Sequence, residues 1–182
     1  MARRRKLVSF VGVALALVSM AAAPSGASAE ERRVGAWSVG VMKANEGTFA
    51  TTGSDKGSVL GQYCYAAPGH CVWILAADLS CEAGNRYPAL VNTEAGAAVL
   101  EILCLDLGGK RRFAFTDFDA IDGIVHKART LRVALPTANG LFRVSRFSLE
   151  GASRAVALMR VKAEAMSGKP EPAATASAGV SF

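Results

Sequence analysis

Six side chains in this 182-residue chain have types suited to distinctive chemistry: Cys64, Cys71, Cys81, Cys104, His70 and His126. All four cysteines fall between Gln62 and Cys104, with six, nine and 22 residues between successive members. A structural zinc site usually wants paired ligands two residues apart, and thiol–disulfide exchange wants a C-x-x-C pair. Neither spacing occurs. Four cysteines in an exported chain read instead as two disulfides.

The histidines lead to no hydrolase motif. A catalytic triad needs a nucleophile beside the imidazole, and neither His70 nor His126 stands in a recognisable nucleophile elbow. Asp117, Asp119 and Asp122 precede Gly123 and invite a calcium reading. The third carboxylate, however, falls one residue late for an EF-hand loop, and Ala128 occupies the position that needs glutamate. Helix capping accounts for the same acids. Gly84, Gly96, Gly108 and Gly109 are turn glycines without a phosphate-binding pattern. The sequence therefore gives no catalytic, metal-binding or cofactor-binding residues, and we expect no cofactor.

Positioning elements follow from punctuation and period. Residues 1–29 have the form of a secretory signal peptide: Arg3 to Lys6 are basic, Leu7 to Ala23 apolar, and Ala27-Ser28-Ala29 small. Cleavage before Glu30 removes four basic residues and no acidic ones, taking the net charge from +6 to about +2. That near-neutral balance argues against nucleic acid as a partner. No transmembrane segment is expected after cleavage, and the expected location is the periplasm or the medium.

Alternating apolar residues predict strands over Ala36–Met42, Thr48–Thr52, Val59–Tyr65, Cys71–Ala76, Tyr87–Val91, Ala97–Leu105, Lys110–Phe115, Leu131–Leu135 and Leu141–Phe147. The period turns helical at about 117–129 and 149–166. We therefore expect an α+β domain over residues 30–167, mostly antiparallel sheet or sandwich with two helices and two disulfides. A small barrel is the alternative architecture. Residues 168–182, rich in Pro, Ala and Ser, are expected to be a disordered tail.

Pro68-Gly69 suits a tight turn and makes Val59–Ala76 a hairpin. Three connectivities are open to four cysteines; the hairpin favours Cys64 with Cys71, leaving Cys81 for Cys104. In the chain-entropy model these closures contribute about 2.5 and about 3.4 kcal/mol.

Two groups of residues form a candidate binding surface. Tyr63, Tyr65 and Trp73 give the hairpin aromatic weight, and Arg132, Arg143 and Arg146 lie on the second, Asn139-Gly140 hairpin. Strict alternation in Leu141–Phe147 turns either Arg143, with Ser145, or Arg146 inward, so a bulge or end-of-strand twist near Ser145 is expected to leave all three arginines on the outer face. Such a face would suit a protein partner or an anionic envelope surface.

The segment Phe147-Ser148-Leu149-Glu150-Gly151-Ala152-Ser153-Arg154-Ala155 resembles the end of the invasion-associated locus B family of exported bacterial proteins. Ser148, Leu149, Gly151 and Ala155 fit its S-L-x-G-x-x-x-A pattern, and Trp37 resembles its early tryptophan; Ala152 stands where an aromatic is usual. The resemblance implies a β-rich exported protein linked with attachment to or entry into host cells. It brings no catalytic residues. A non-catalytic interaction module is thus the leading expectation, ahead of a periplasmic hydrolase with an unrecognised site and a structural envelope component.

Overall fold

A computed structural model describes residues 31–67, 69–137 and 139–168. The expected leader, all but Gly168 of the expected tail, and Pro68 of the first hairpin turn lie outside them.

Ten strands form one antiparallel sheet. In chain order they are β1 (Arg32–Val34), β2 (Trp37–Val41), β3 (Gly47–Gly53), β4 (Val59–Tyr65), β5 (Cys71–Ala76), β6 (Arg86–Thr93), β7 (Gly96–Leu107), β8 (Lys110–Phe115), β9 (Thr130–Pro136) and β10 (Phe142–Ser148). Helix α1 (Phe118–Lys127) precedes β9, and α2 (Ala152–Met166) follows β10. The spatial order is β1-β2-β3-β4-β5-β8-β7-β6-β9-β10. The sheet curls into a half-barrel, and its β10 end meets the β3–β4 turn where Ser54, just past β3, bridges Phe147.

Period-2 alternation sends Trp37, Val39, Ala50, Leu60, Trp73, Leu75, Ile102, Val133 and Phe147 to the concave side, where all are buried. Helix α2 supplies Ala152, Ala155, Val156 and Met159 to that core, and α1 supplies Ile121 and Val125. Each large apolar side chain buried this way contributes about 1.5–3 kcal/mol. Asp117 caps α1 by accepting from the Ala120 N–H at 2.9 Å, as the helix-capping reading of the acids expects.

The disulfides are Cys64–Cys71 and Cys81–Cys104. Cys64 and Cys71 are directly opposed partners on β4 and β5, and the second bond ties the β5–β6 connection to β7.

Closure of the half-barrel rests on two glycines. Gly35 in the β1–β2 turn (φ 60°) and Gly151 before α2 (φ 83°) are both left-handed and lie face to face. A Cβ on Gly151 would stand 2.4 Å from the Val34 carbonyl oxygen, and one on Gly35 would stand 2.5 Å from that of Glu150. The contact brings the Ala36 N–H to the Glu150 carbonyl at 3.0 Å. Leu149 and Ala155 beside it are buried. The S-L-x-G-x-x-x-A segment thus has a structural role: it seats α2 in the barrel and closes the ends.

A second clasp holds β9. The Glu94 carboxylate, in the β6–β7 turn, accepts from the backbone N–H groups of Arg129 and Thr130. Backbone N–H donors, its own first and then that of Arg129, hold its pKa below the ordinary value of 4.5. A depressed carboxylate pKa contributes stability above the unfolded-state value, and that contribution is lost as pH falls through the folded one.

Two outcomes are expected. Gly151→Ala should destabilise by about 2 kcal/mol or more, combining left-handed strain with overlap, while Gly108→Ala, also left-handed but facing open space, should lose only about 1 kcal/mol. Urea midpoints compare them, and equal losses would show that close approach at Gly151 contributes nothing. For Glu94→Gln, the melting temperature should fall below wild type at neutral pH and converge with it as pH drops below the carboxylate range.

Candidate functional site

The aromatic trio named from sequence divides. Trp73 is fully buried: it packs edge-on to Trp37 with centroids 6.1 Å apart, and its Nε1 donates to Asp122 Oδ1 at 3.0 Å. It belongs to the core and presents nothing to a partner. Tyr63 and Tyr65 are half-buried on the convex face. Tyr63 lies 6.4 Å from Phe49, ring centre to ring centre, and Tyr65 lies 5.5 Å from His70. Burial raises the Tyr63 hydroxyl pKa, with nearby Arg112 acting in the opposite sense.

The arginines divide as well, because the expected bulge is absent. Pairing of β9 with β10 runs unbroken from Phe142↔Pro136 to Ser148↔Thr130. Ser145 therefore points inward and is buried, which its hydroxyl tolerates by hydrogen bonding to Ser58 Oγ at 2.8 Å. Arg132 and Arg146 are register partners on the convex face, both exposed. Arg143 takes the opposite face at the open end of the barrel, where its Nη2 reaches the Lys56 carbonyl at 3.4 Å.

The register also assembles what no segment shows alone. Val144 of β10 pairs with Ala134, Ala134 with Leu90, and Leu90 with Val99. These four residues form a straight row across β10, β9, β6 and β7 on the convex face. Val144 is 39% exposed, Leu90 44% and Val99 68%; Phe142, two residues from Val144 on the same face, is 63% exposed. Two residues along from the row, Arg132 and Arg146 stand opposite each other with no carboxylate within ion-pair distance among the described residues. Directly opposed like charges are mildly destabilising in a sheet. An exposed apolar strip with a cationic rim has the composition of a contact surface.

Sequence reasoning missed Leu90, Val99, Phe142 and Val144. Its one usable signal is the nearly all-apolar run Ala97–Leu105, which suits a central strand. Strand β7 is interior to the sheet, but its convex face is bare. Glu101, the awkward residue there, is exposed and paired with Arg86.

A polar cluster joins both helices to the sheet. Asp122 Oδ1 accepts from Gln62 Nε2 at 3.0 Å, Trp73 Nε1 at 3.0 Å and Arg160 Nη2 at 2.5 Å. Arg160 Nε also donates to Gln62 Oε1 at 2.8 Å, and His126 Nε2 lies 3.5 Å from Asp122 Oδ2. The carboxylate that would orient His126 is thus already committed to three donors. His126 and Asp122 stand one turn apart on α1, so the fastening of helix to sheet comes from the bonds of Asp122 to Gln62 and Trp73, and among the described residues no hydroxyl is hydrogen-bonded to the imidazole. A separate groove of about 320 Å³ runs past Asp119, Ile124 and Lys127 with no second acid or base opposite. No group of three potential metal-binding side chains occurs among the described residues.

These features can be set beside known proteins. No family model matches the sequence, and no curated protein matches it. The crystal structure of invasion associated protein B from Bartonella henselae superposes with a TM-score of 0.53 at 15% identity, covering 73% of this chain and 97% of that one. The chain shares its fold. At that identity the likeness speaks for architecture alone, and it agrees with the resemblance carried by Ser148 to Ala155 and Trp37.

Removing the carboxylate tests the fastening role. Asp122→Ala should destabilise by about 2 kcal/mol, because buried Gln62 and Trp73 lose their acceptor while Arg160, partly in solvent, loses less. His126→Ala should cost well under half of that, and denaturant unfolding distinguishes the two. An equal or larger loss at His126 would show that the fastening does not rest chiefly on the Asp122 carboxylate.

Proposed function

We propose that this chain is an exported, non-catalytic interaction module that presents the convex face of β10-β9-β6-β7 to a partner at a cell surface, in the setting of attachment to or entry into host cells. The observation that carries this reading is the in-register apolar row of Val144, Ala134, Leu90 and Val99 beside unpaired Arg132 and Arg146. Three features support the export part: the signal-like residues 1–29, the pairing of every cysteine, and the fold shared with a protein named for invasion. No helix among the described residues is long and apolar enough to cross a membrane. Apolar area would supply affinity, and the two guanidinium groups would steer an anionic partner into register.

The triple variant Leu90→Ser, Val99→Ser, Val144→Ser is expected to melt within a few degrees of wild type, since all three side chains face solvent. Adhesion of the labelled protein to cultured host cells should fall at least tenfold in this variant. In Arg132→Ala, Arg146→Ala, the salt dependence of adhesion should flatten. Wild-type adhesion by the folded triple variant would remove this face from the function.

A further inference from the structure

Strand β10 ends the sheet, so among the described residues one of its backbone edges has no partner strand. Two hydrogen bonds flanking the ladder, Thr137 N–H to the Leu141 carbonyl and Leu149 N–H to the Arg129 carbonyl, both 2.8 Å, show which residues turn toward β9. By antiparallel alternation, Leu141, Arg143, Ser145 and Phe147 direct their backbone groups at β9. Phe142 and Val144 direct theirs the other way. Across from them stands the β3–β4 turn, which bridges β10 at Ser54↔Phe147 and beyond that touches it only through the side chains of Ser145 and Arg143. A groove of about 730 Å³ lies between Lys56 and Leu79 on one side and Phe142, Arg143 and Val144 on the other. The groove is wide open to solvent.

The groove holds an under-used cation. Arg143 Nε is buried and has no hydrogen-bond partner among the described residues, and Nη2 makes only the long contact to the Lys56 carbonyl. Among the described residues, no carboxylate lies within ion-pair distance of Arg143 or Lys56. A guanidinium so placed is suited to a carboxylate, which it can grip with two parallel bonds. The sheet's other edge is defended: β1 has three residues, two of them exposed arginines. Strand β10 has seven residues and offers exposed Phe142 and Val144, the type of edge that natural sheets cover or pair.

We infer that the β10 edge takes an extended peptide as an added strand, with acidic side chains on Arg143 and apolar ones beside Val144. The N–H and C=O groups of Phe142 and Val144 supply the backbone pairing. Period-2 alternation then sets the sequence pattern. On the Arg143 side the peptide's residues meet a cation, and on the convex side they extend the exposed row, so acidic and apolar residues must alternate. This goes beyond the reading of the convex face, since it uses an edge and a different arginine.

The experiment follows amide shifts of Phe142 and Val144 in the ¹⁵N-labelled protein, purified after export. The probe is a pool of capped peptides of about six residues, comparable to an average strand, alternating Glu with Val, Leu or Phe. Both amides should shift saturably and weaken with salt. A Lys-for-Glu pool should bind at least tenfold more weakly, as should the Glu pool on Arg143→Gln. Backbone N-methylation of the peptides should abolish the shifts. So should Val144→Pro, which deletes an N–H that β9 does not use and should therefore leave melting unchanged. Absence of shifts at millimolar pool, equal binding of Glu and Lys pools, or undiminished binding by N-methylated peptides would each overturn the proposal. The last would leave simple capture of an anion. Leu90→Ser and Val99→Ser should bind the pool normally, so failure at the edge and failure at the face are distinguishable.

Discussion

The Asp122 carboxylate is where two helices and two strands are held in one arrangement. It lies on α1 and accepts from Gln62 of β4, Trp73 of β5 and Arg160 of α2. Gln62 and Trp73 are wholly buried, so their donors need an acceptor inside the protein, and Asp122 serves both. Apolar packing alone would let α2 slide along the concave surface at little cost, because alanines line much of its buried stripe. The directional bonds fix its position. Burial of Ala155, Val156 and Met159 against the sheet is then reproducible from one molecule to the next.

With both helices drawn to one side, the two faces of the sheet acquire different duties. The concave side encloses the helix α2 stripe and carries the stability. Among the described residues, nothing covers the convex side of β10, β9, β6 and β7 at Phe142, Val144, Leu90 and Val99, and these outward residues are free to vary without disturbing the core. The Gly35–Gly151 contact keeps the curl closed at the start of α2, while the barrel stays open near Lys56 and Arg143. Face and edge thus occur on the same strand for a single geometric reason: β10 is the last strand in, and it meets β3 only near one end.

Local pattern revealed much of this. Strands β4 and β5 lie where alternation places them, and α1 falls within the span marked by Phe118, Ile121 and Val125. The paired cysteines follow from the hairpin between them. Helix α2 begins at Ala152, later than its periodic stripe, because Gly151 adopts a left-handed conformation against Val34. Strand β1 was illegible: Arg32-Arg33-Val34 has no alternation to read. The order of strands was illegible too. Placing β8 beside β5, and β6 beside β9, depends on contacts distant in sequence, and the row through Leu90, Val99 and Val144 exists only once that order is known. Arg143 was misplaced for a smaller reason, since nothing near Ser145 announces that Ser58 waits across the barrel to receive its hydroxyl.

The Cys81–Cys104 bond has a consequence beyond fastening. Leu79, a wall of the groove at β10, stands two residues before Cys81, in a connection that has little regular structure between β5 and β6. Its tether to β7 is covalent and oxidative. While the thiols remain reduced, as they would inside a cytoplasm, that wall keeps its packing against the core but lacks its covalent tether. Oxidation therefore tethers one wall of the groove as well as the fold, and the shape of the groove depends on the redox state of its surroundings.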